Sequence, residues 1–215
     1  MTLPADPSIG LQAAFIALSV AMTAYFVWWT KLRVAPVIWL GATGLLAGVG
    51  AFQSFALPPR IMLLMVPGTV ALSVLAWRSD WHRSPLKLLV GFQAFRIVVE
   101  LLIHQAVSEG VAPPQLTWDG RNFDVVTGIT ALMLIPFVDR MPRWSLHAWN
   151  LMGIGLLFNV VGVAVLSMPT PFQVFTPDNL WIAFFPFSWL PLIHVMLAFV
   201  GHVVLFKRLT EDAGK

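Results

Sequence analysis

The chain has 215 residues, of which 58% are hydrophobic and 11% are charged, and its formal net charge is +3. Soluble domains are about 45–50% apolar and about 25% charged, so this composition excludes a water-soluble globular protein and predicts a polytopic membrane protein. The sequence contains no cysteine, which also excludes disulfides, thiolate metal ligands and a cysteine nucleophile.

Apolar segments of near-membrane length follow one another along the chain, separated by charged residues or proline. An isolated apolar segment in lipid can satisfy its backbone hydrogen bonds only as a helix. The sequence therefore predicts an all-α fold, a polytopic membrane helix bundle that forms one transmembrane domain over residues 1–215. The seven predicted transmembrane helices cover approximately residues 10–30, 35–57, 61–77, 86–107, 122–138, 146–168 and 181–206.

Basic residues are distributed unevenly between the two sets of segments that flank these helices. The segments after the first, third, fifth and seventh helices contain ten of them, whereas the opposite set contains only Arg60 and Arg121. The positive-inside rule then places the N-terminus outside and the C-terminus in the cytoplasm, and we expect a bacterial-type cytoplasmic (inner) membrane. Because the basic residues follow topology, we expect no nucleic-acid partner.

The fourth predicted helix carries polar side chains at membrane depth. Gln93, Arg96, Glu100 and His104 fall on one stripe at 3.6 residues per turn. Ionisable groups at that depth are costly, so each of them suggests a function. Two interpretations stay open: an Arg96–Glu100 ion pair at i,i+4 that pins the bundle, or a binding site.

The segment that follows brings further polar residues to the same, outer side. Asp119-Gly120 predicts a tight turn, and the fifth helix then begins with a polar run next to the fourth helix, because a short loop joins the two. The sixth and seventh helices each add a polar residue at depth. The candidate ligand-binding residues are Arg96, Glu100, His104, Arg121, Asn122, Asp124, Asn159 and His194.

A metal site is one use for these side chains. His104, Asp124 and His194 supply the imidazole and carboxylate groups that suit zinc or iron. Glu100 would then be the catalytic general base of a membrane-embedded hydrolase that cleaves a lipid-like amide or ester. Zinc or iron is the cofactor of this alternative, and the sequence does not otherwise identify a cofactor.

Two resemblances bear on these alternatives. Residues 115–124 read Gln-Leu-Thr-Trp-Asp-Gly-Arg-Asn-Phe-Asp, and Phe95-Arg96, Glu100 and His104 come before them in the chain. This combination is similar to a bacterial multi-pass membrane family without an assigned activity. The architecture, with an outside N-terminus and intramembrane His and Asp, resembles the superfamily of seven-helix intramembrane hydrolases that includes alkaline ceramidases and adiponectin-receptor-like proteins. That second resemblance implies a metal-dependent hydrolase.

We expect the polar residues to form a pocket that opens outward and binds a small polar or anionic ligand or a lipid headgroup, for transport or sensing. Arg96 and Arg121 would contact the anion. The metal-dependent hydrolase is the alternative, and a structural membrane subunit is the second alternative. The expected partners are membrane lipids and a small polar or amphiphilic ligand, while the small-residue face at Gly44 and Gly48 serves internal packing or an oligomer contact.

Overall fold

Helices account for the regular secondary structure of residues 2–211, the part of the chain that this computed structural model describes, so the all-α prediction is confirmed. A π-helical segment at Leu190–Val195 leads directly into the last helix. The α-helices are α1 (Ile9–Thr30), α2 (Ala35–Gly48), α3 (Arg60–Arg78), α4 (Leu86–Phe92), α5 (Phe95–Ser108), α6 (Val125–Leu134), α7 (Arg143–Leu166) and α8 (Met196–Glu211).

Four helices among residues 2–211 are long and apolar enough to cross a membrane: α1, α3, α7 and the continuous helix Leu190–Glu211. The apolar helices α2 and α6 are shorter, and α4 and α5 follow each other along the fourth predicted segment. Large apolar side chains at Leu63, Val66, Val70 and Val74 form an exposed stripe on α3. Such a stripe suits a helix that faces lipid.

Prolines explain why two helices are shorter than the sequence predicted. The fifth predicted helix, 122–138, ends in the structure at Leu134, because Pro136 has no backbone N–H with which to continue the helical hydrogen bonds. The seventh predicted helix, 181–206, begins only at Leu190, with Pro191 in its first turn, and continues to Glu211. The last helix is therefore shifted toward the C-terminus relative to the prediction.

The fourth predicted helix is broken between α4 and α5. The amide of Gln93 donates to the Val90 carbonyl at 3.1 Å, and that of Ala94 donates to the Gly91 carbonyl at 3.0 Å. These bonds join residues three apart, so the chain tightens locally as in a 3₁₀-helix. The polar stripe predicted over residues 93–104 is consequently not one continuous α-helical face.

The last helix is the centre of the bundle. In the helix Leu190–Glu211, 67% of the most apolar 18-residue stretch is buried, whereas the corresponding share in α3 is 11%. The helix α8 packs against α3, α7 and α4, and the π-helical segment also contacts α1 and α3. Polar residues on this helix are therefore surrounded by protein.

Polar contacts tie α1 to the loops at the two ends of the bundle. At one end, the amide and hydroxyl of Ser8 donate to the Glu109 carboxylate at 2.8 and 2.7 Å. Hydrogen bonds from the side chain of Gln105 and from the amide of Ser8 lower the pKa of Glu109. At the opposite end, Trp29 Nε1 donates to Ser84 Oγ at 2.8 Å. The start of α1 and the end of α5 thus share one end of the bundle.

The glycines of α2 face two environments. A Cβ at Gly44 would lie 2.8 Å from Cζ2 of Trp189, so this glycine makes room for an indole of the same chain. A Cβ at Gly41 or Gly48 would meet no atom within 4 Å. Gly44 therefore serves internal packing, whereas an oligomer contact at Gly48 stays a prediction.

Candidate functional site

A buried ion pair between Arg96 and Asp124 joins the start of α5 to the start of α6. Nε of Arg96 donates to Oδ2 of Asp124 at 2.6 Å, and Nη2 donates to Oδ1. Only 2% of Arg96 and 5% of Asp124 is exposed. This two-pronged arrangement matches the planar guanidinium to a carboxylate and is the strongest form of such a pair.

The predicted ion pair between Arg96 and Glu100 is not formed, because Arg96 pairs with Asp124 instead. Both side chains are nevertheless buried, as that prediction required. The order of the charges along the helix explains the difference. Helical side chains point toward the N-terminus, so an acid that precedes a base at i,i+4 pairs better than a base that precedes an acid. Arg96 precedes Glu100, and its guanidinium finds its partner on the neighbouring helix.

Asn122 connects Glu100 to Asp124. Its Nδ2 lies 2.9 and 2.7 Å from the two carboxylate oxygens of Glu100 and also donates to the Leu116 carbonyl at 2.9 Å. Its Oδ1 accepts from the Asp124 amide at 2.9 Å. Among residues 2–211, no cationic side chain lies within ion-pair distance of Glu100.

His202 continues this chain of contacts toward α7. Its Nε2 lies 2.9 Å from Nη1 of Arg96, and its Nδ1 lies 2.8 Å from Oδ1 of Asn150. Because a guanidinium nitrogen can only donate, His202 Nε2 accepts, Nδ1 carries the proton and the imidazole is neutral. We name the connected residues Glu100, Asn122, Asp124, Arg96, His202 and Asn150 the polar chain.

His202 and Asn150 were not among the residues predicted for the site. The last helix continues to Glu211 and not to about residue 206, so His202 lies well inside it. Gly153, one turn after Asn150, was the available signal. A Cβ there would lie 2.5 Å from Cε1 of His202, so only glycine accommodates the imidazole.

Gly120 allows the loop between α5 and α6 to deliver Asn122 to Glu100. The predicted turn is confirmed, since the Gly120 amide donates to the Thr117 carbonyl at 3.0 Å. A Cβ at Gly120 would lie 2.5 Å from the Pro114 carbonyl oxygen, which is backbone and cannot move aside. This close approach brings the polar run after the turn back against α5.

His194 lies in the π-helical segment and is only 2% exposed. Its Nε2 is 3.3 Å from Oγ of Ser19, whose own proton is donated to the Phe15 carbonyl at 2.8 Å. Ser19 therefore accepts from His194, so the proton of the ring is on Nε2. Nδ1 is left as a bare acceptor that has no partner within residues 2–211. Single π-helical turns are frequent at functional sites.

Arg96, Glu100, Asp124 and His194 share the wall of one internal cavity of about 70 Å³. The other residues that line it are apolar and come mainly from α3, α5, α7 and the last helix. Several lining residues on α3 and α7 are partly exposed, while those on α5 are mostly buried. The space therefore approaches the surface between α3 and α7.

The remaining candidate residues lie outside this cavity. Asn159 and Arg121 border a separate open groove of about 780 Å³ between α7 and the 114–123 loop. Nδ2 of Asn159 donates to the Arg121 carbonyl at 2.7 Å, and the guanidinium of Arg121 covers the ring of Phe175, 4.7 Å from its centroid. His104 stacks on Trp118 at a centroid distance of 4.4 Å. The predicted single pocket is thus divided in two.

The proposed metal ligands do not come together. His104 is at the Trp118 ring, Asp124 binds Arg96, and His194 binds Ser19. No group of three His, Cys, Asp or Glu side chains among residues 2–211 is arranged to hold a metal ion. The arrangement therefore does not support the predicted zinc or iron site at His104, Asp124 and His194, and the role of Glu100 as a general base stays a prediction.

Gly153→Ala should separate His202 from Arg96, because the added methyl group takes the place of the imidazole edge. Overpacking of this kind costs about 1–3 kcal/mol of unfolding free energy, measurable by chemical denaturation in detergent micelles. Gly155→Ala on the same helix is the matched control, since its Cβ would meet nothing within 4 Å. Equal stability of the two variants would contradict a packed contact between Gly153 and His202.

Removing one member of the Arg96–Asp124 pair should destabilise the protein more than removing both. Asp124→Asn leaves the guanidinium buried without its counter-charge, at a cost of about 3–5 kcal/mol. The double variant Arg96→Met/Asp124→Leu carries neither charge and should recover part of that loss. Asp139→Asn breaks the exposed pair with Lys87 and should cost less than about 1 kcal/mol. Additive losses in the double variant would refute the pairing.

No family model matches the chain, and comparison with curated proteins and with solved structures found no match. The resemblance of residues 115–124 to a bacterial multi-pass family stays a prediction.

Proposed function

We propose that the chain crosses a bacterial-type cytoplasmic membrane seven times, with the N-terminus outside and the C-terminus in the cytoplasm. In this arrangement α2, α6 and the consecutive pair α4 and α5 cross together with the four long helices. The contacts at the bundle ends support it: Ser8 binds Glu109 at one end, where both would be outside. At the other end Lys87 pairs with Asp139 at 3.0 Å, where both would be cytoplasmic.

This topology is tested on the full-length chain with a reporter at each terminus. A C-terminal green fluorescent protein should fluoresce, and a C-terminal alkaline phosphatase should be inactive, because the ten basic residues favour the cytoplasmic side. An N-terminal epitope tag should be accessible to antibody in spheroplasts without permeabilisation. An active phosphatase fusion or a protected N-terminal tag would refute the orientation.

The proposed function is the binding of one end of a small amphiphile inside the bundle, for its transport or sensing. The observation that carries it is the cavity wall, which places Arg96, Glu100, Asp124 and His194 against a lining that is otherwise apolar. Binding sites of small molecules have this character, a mainly apolar space with a few polar groups that fix orientation. An amphiphile offers both kinds of surface.

The size and position of the cavity restrict the ligand. A volume of about 70 Å³ is far below the roughly 300–1,000 Å³ of typical ligand pockets. The cavity therefore suits the head of a narrow molecule and not a bulky one. Its partly exposed lining between α3 and α7 leaves a path for an aliphatic tail toward lipid.

The charges favour a head that is not an anion. Arg96 was expected to contact an anionic ligand, but both prongs of its guanidinium already bind Asp124. Arg121, the second expected anion contact, lies on Phe175 in the outer groove. An anion in the cavity would meet Glu100 without a free cation to oppose it.

Photolabelling tests the proposed binding. Decanol with a diazirine at the end of its tail should label residues of α3 and α7, and excess unlabelled decanol should suppress that labelling when peptides are mapped by mass spectrometry. Ala164 lines the cavity, so Ala164→Phe should reduce the suppressible labelling severalfold. Ala24→Phe, on an exposed position of α1, is the control and should leave it unchanged.

The structural-subunit alternative makes the opposite prediction for the same measurement. A polar chain that only specifies helix pairing needs no ligand, so labelling would be uniform over the lipid-facing residues and unlabelled decanol would not suppress it. Suppressible labelling that is equal in Ala164→Phe and the unmodified protein would also refute binding in this cavity.

A further inference from the structure

Two acceptor groups on the cavity wall have fewer hydrogen-bond donors than they can accept from, and this deficit defines the chemistry of the head that fits. One acceptor is Nδ1 of His194 and the other is the carboxylate of Glu100. The inference rests on the proposed function, since it assigns a ligand class to the same cavity.

The neighbours of His194 determine which of its ring nitrogens stays unprotonated. Ser19 gives its single proton to the Phe15 carbonyl, so the imidazole must donate from Nε2 and keep Nδ1 unprotonated. No donor among residues 2–211 reaches this nitrogen. A buried polar atom without a partner is costly, and a ligand that donates to it removes that cost.

Glu100 is short of donors for the same geometric reason. The amide nitrogen of Asn122 has two protons, and one of them serves the Leu116 carbonyl at 2.9 Å. The remaining proton is shared by both oxygens of Glu100. A carboxylate offers about four acceptor sites, so most of them stay available on a side chain that is 1% exposed.

The charges of the side chains on the cavity wall favour a cationic head group in the ligand. Arg96 and Asp124 neutralise each other, and His202 is neutral because it accepts from Arg96. Among residues 2–211, Glu100 is then the acidic group of the cavity wall that has no cationic side chain within ion-pair distance, so its carboxylate form lacks a counter-charge. A cationic donor both supplies the missing hydrogen bonds and compensates this charge at low dielectric.

We propose that the cavity binds the protonated primary amine of an unbranched alkylamine. The ammonium carries three N–H donors, enough for both the Glu100 carboxylate and Nδ1 of His194, whereas a hydroxyl has one donor. The aliphatic tail lies between Met62 and Met65 of α3 and Val161 and Val165 of α7, all of which line the cavity and are partly exposed.

Competition against the diazirine decanol label tests the head group on the unmodified protein in nanodiscs of zwitterionic lipid. Decylamine, decanol and decanoate have equal tails, so differences in the concentration for half-suppression report the head. Decylamine should compete at a concentration at least about tenfold lower than decanol, because a charged hydrogen bond is added. Decanoate should be the weakest of the three.

Variants assign the preference to the two acceptors. Glu100→Gln should weaken competition by decylamine at least about tenfold while decanol changes by less than about twofold, since only the amine depends on the negative charge. His194→Phe should weaken both competitors. Glu109→Gln and His147→Phe are matched controls outside the cavity and should behave as the unmodified protein.

The outcomes separate this inference from the proposed function. Suppressible labelling with equal competition by all three heads, or with decanoate the strongest, would overturn the amine while amphiphile binding stands. Retention of the decylamine preference in a folded Glu100→Gln variant would overturn the role of Glu100. Absence of suppressible labelling with any competitor would overturn the proposed function itself. The head-group order needs no variant, so it decides the question even if a substitution prevents folding.

Discussion

The arrangement of the bundle depends on the burial of one positive charge. Arg96 lies among helices where an unpaired guanidinium would be very costly, and its five N–H groups in a rigid fork demand partners in fixed directions. Asp124 fills two of those directions and His202 a third. Each partner belongs to a different part of the chain, so satisfying this side chain also fixes α6 and α8 relative to α5.

The same requirement explains the local features around the pair. Asp124 can reach Arg96 only if the 114–124 loop folds back tightly, which is why Gly120 approaches the Pro114 carbonyl. The imidazole of His202 lies against α7 where it binds Arg96, and Gly153 leaves room for the ring there. Small residues at such crossings are typical of helix packing in membranes, and here they serve polar contacts as well as close packing.

Composition was sufficient to predict the all-α fold, because lipid leaves an apolar segment no other way to satisfy its backbone. Polar residues on the fourth segment and after the Asp119-Gly120 turn also indicated which region of the chain forms the buried network. The partners within that network could not be predicted from spacing. Two residues on one helix, Arg96 and Glu100, have the right separation for a pair, but direction along the helix and the competing Asp124 decide the outcome. The place of His202 depended on the bounds of the last helix, which begins next to Pro191 and runs to Glu211.

The helix α3 is fastened to the rest of the bundle unevenly. Among residues 2–211, its hydrogen bonds to other helices lie at its last turn, where Nζ of Lys207 donates to the Trp77 carbonyl at 2.6 Å. Near the cavity, Met62 and Met65 offer only dispersion contacts, which have no preferred direction. At its first residue, the amide and the guanidinium of Arg60 donate to the Ser54 and Ala51 carbonyls of the preceding segment. Between these two ends, undirected contacts hold α3 to its neighbouring helices. The wall of the cavity that faces lipid is therefore its most compliant wall, and the walls that carry charge are its stiffest.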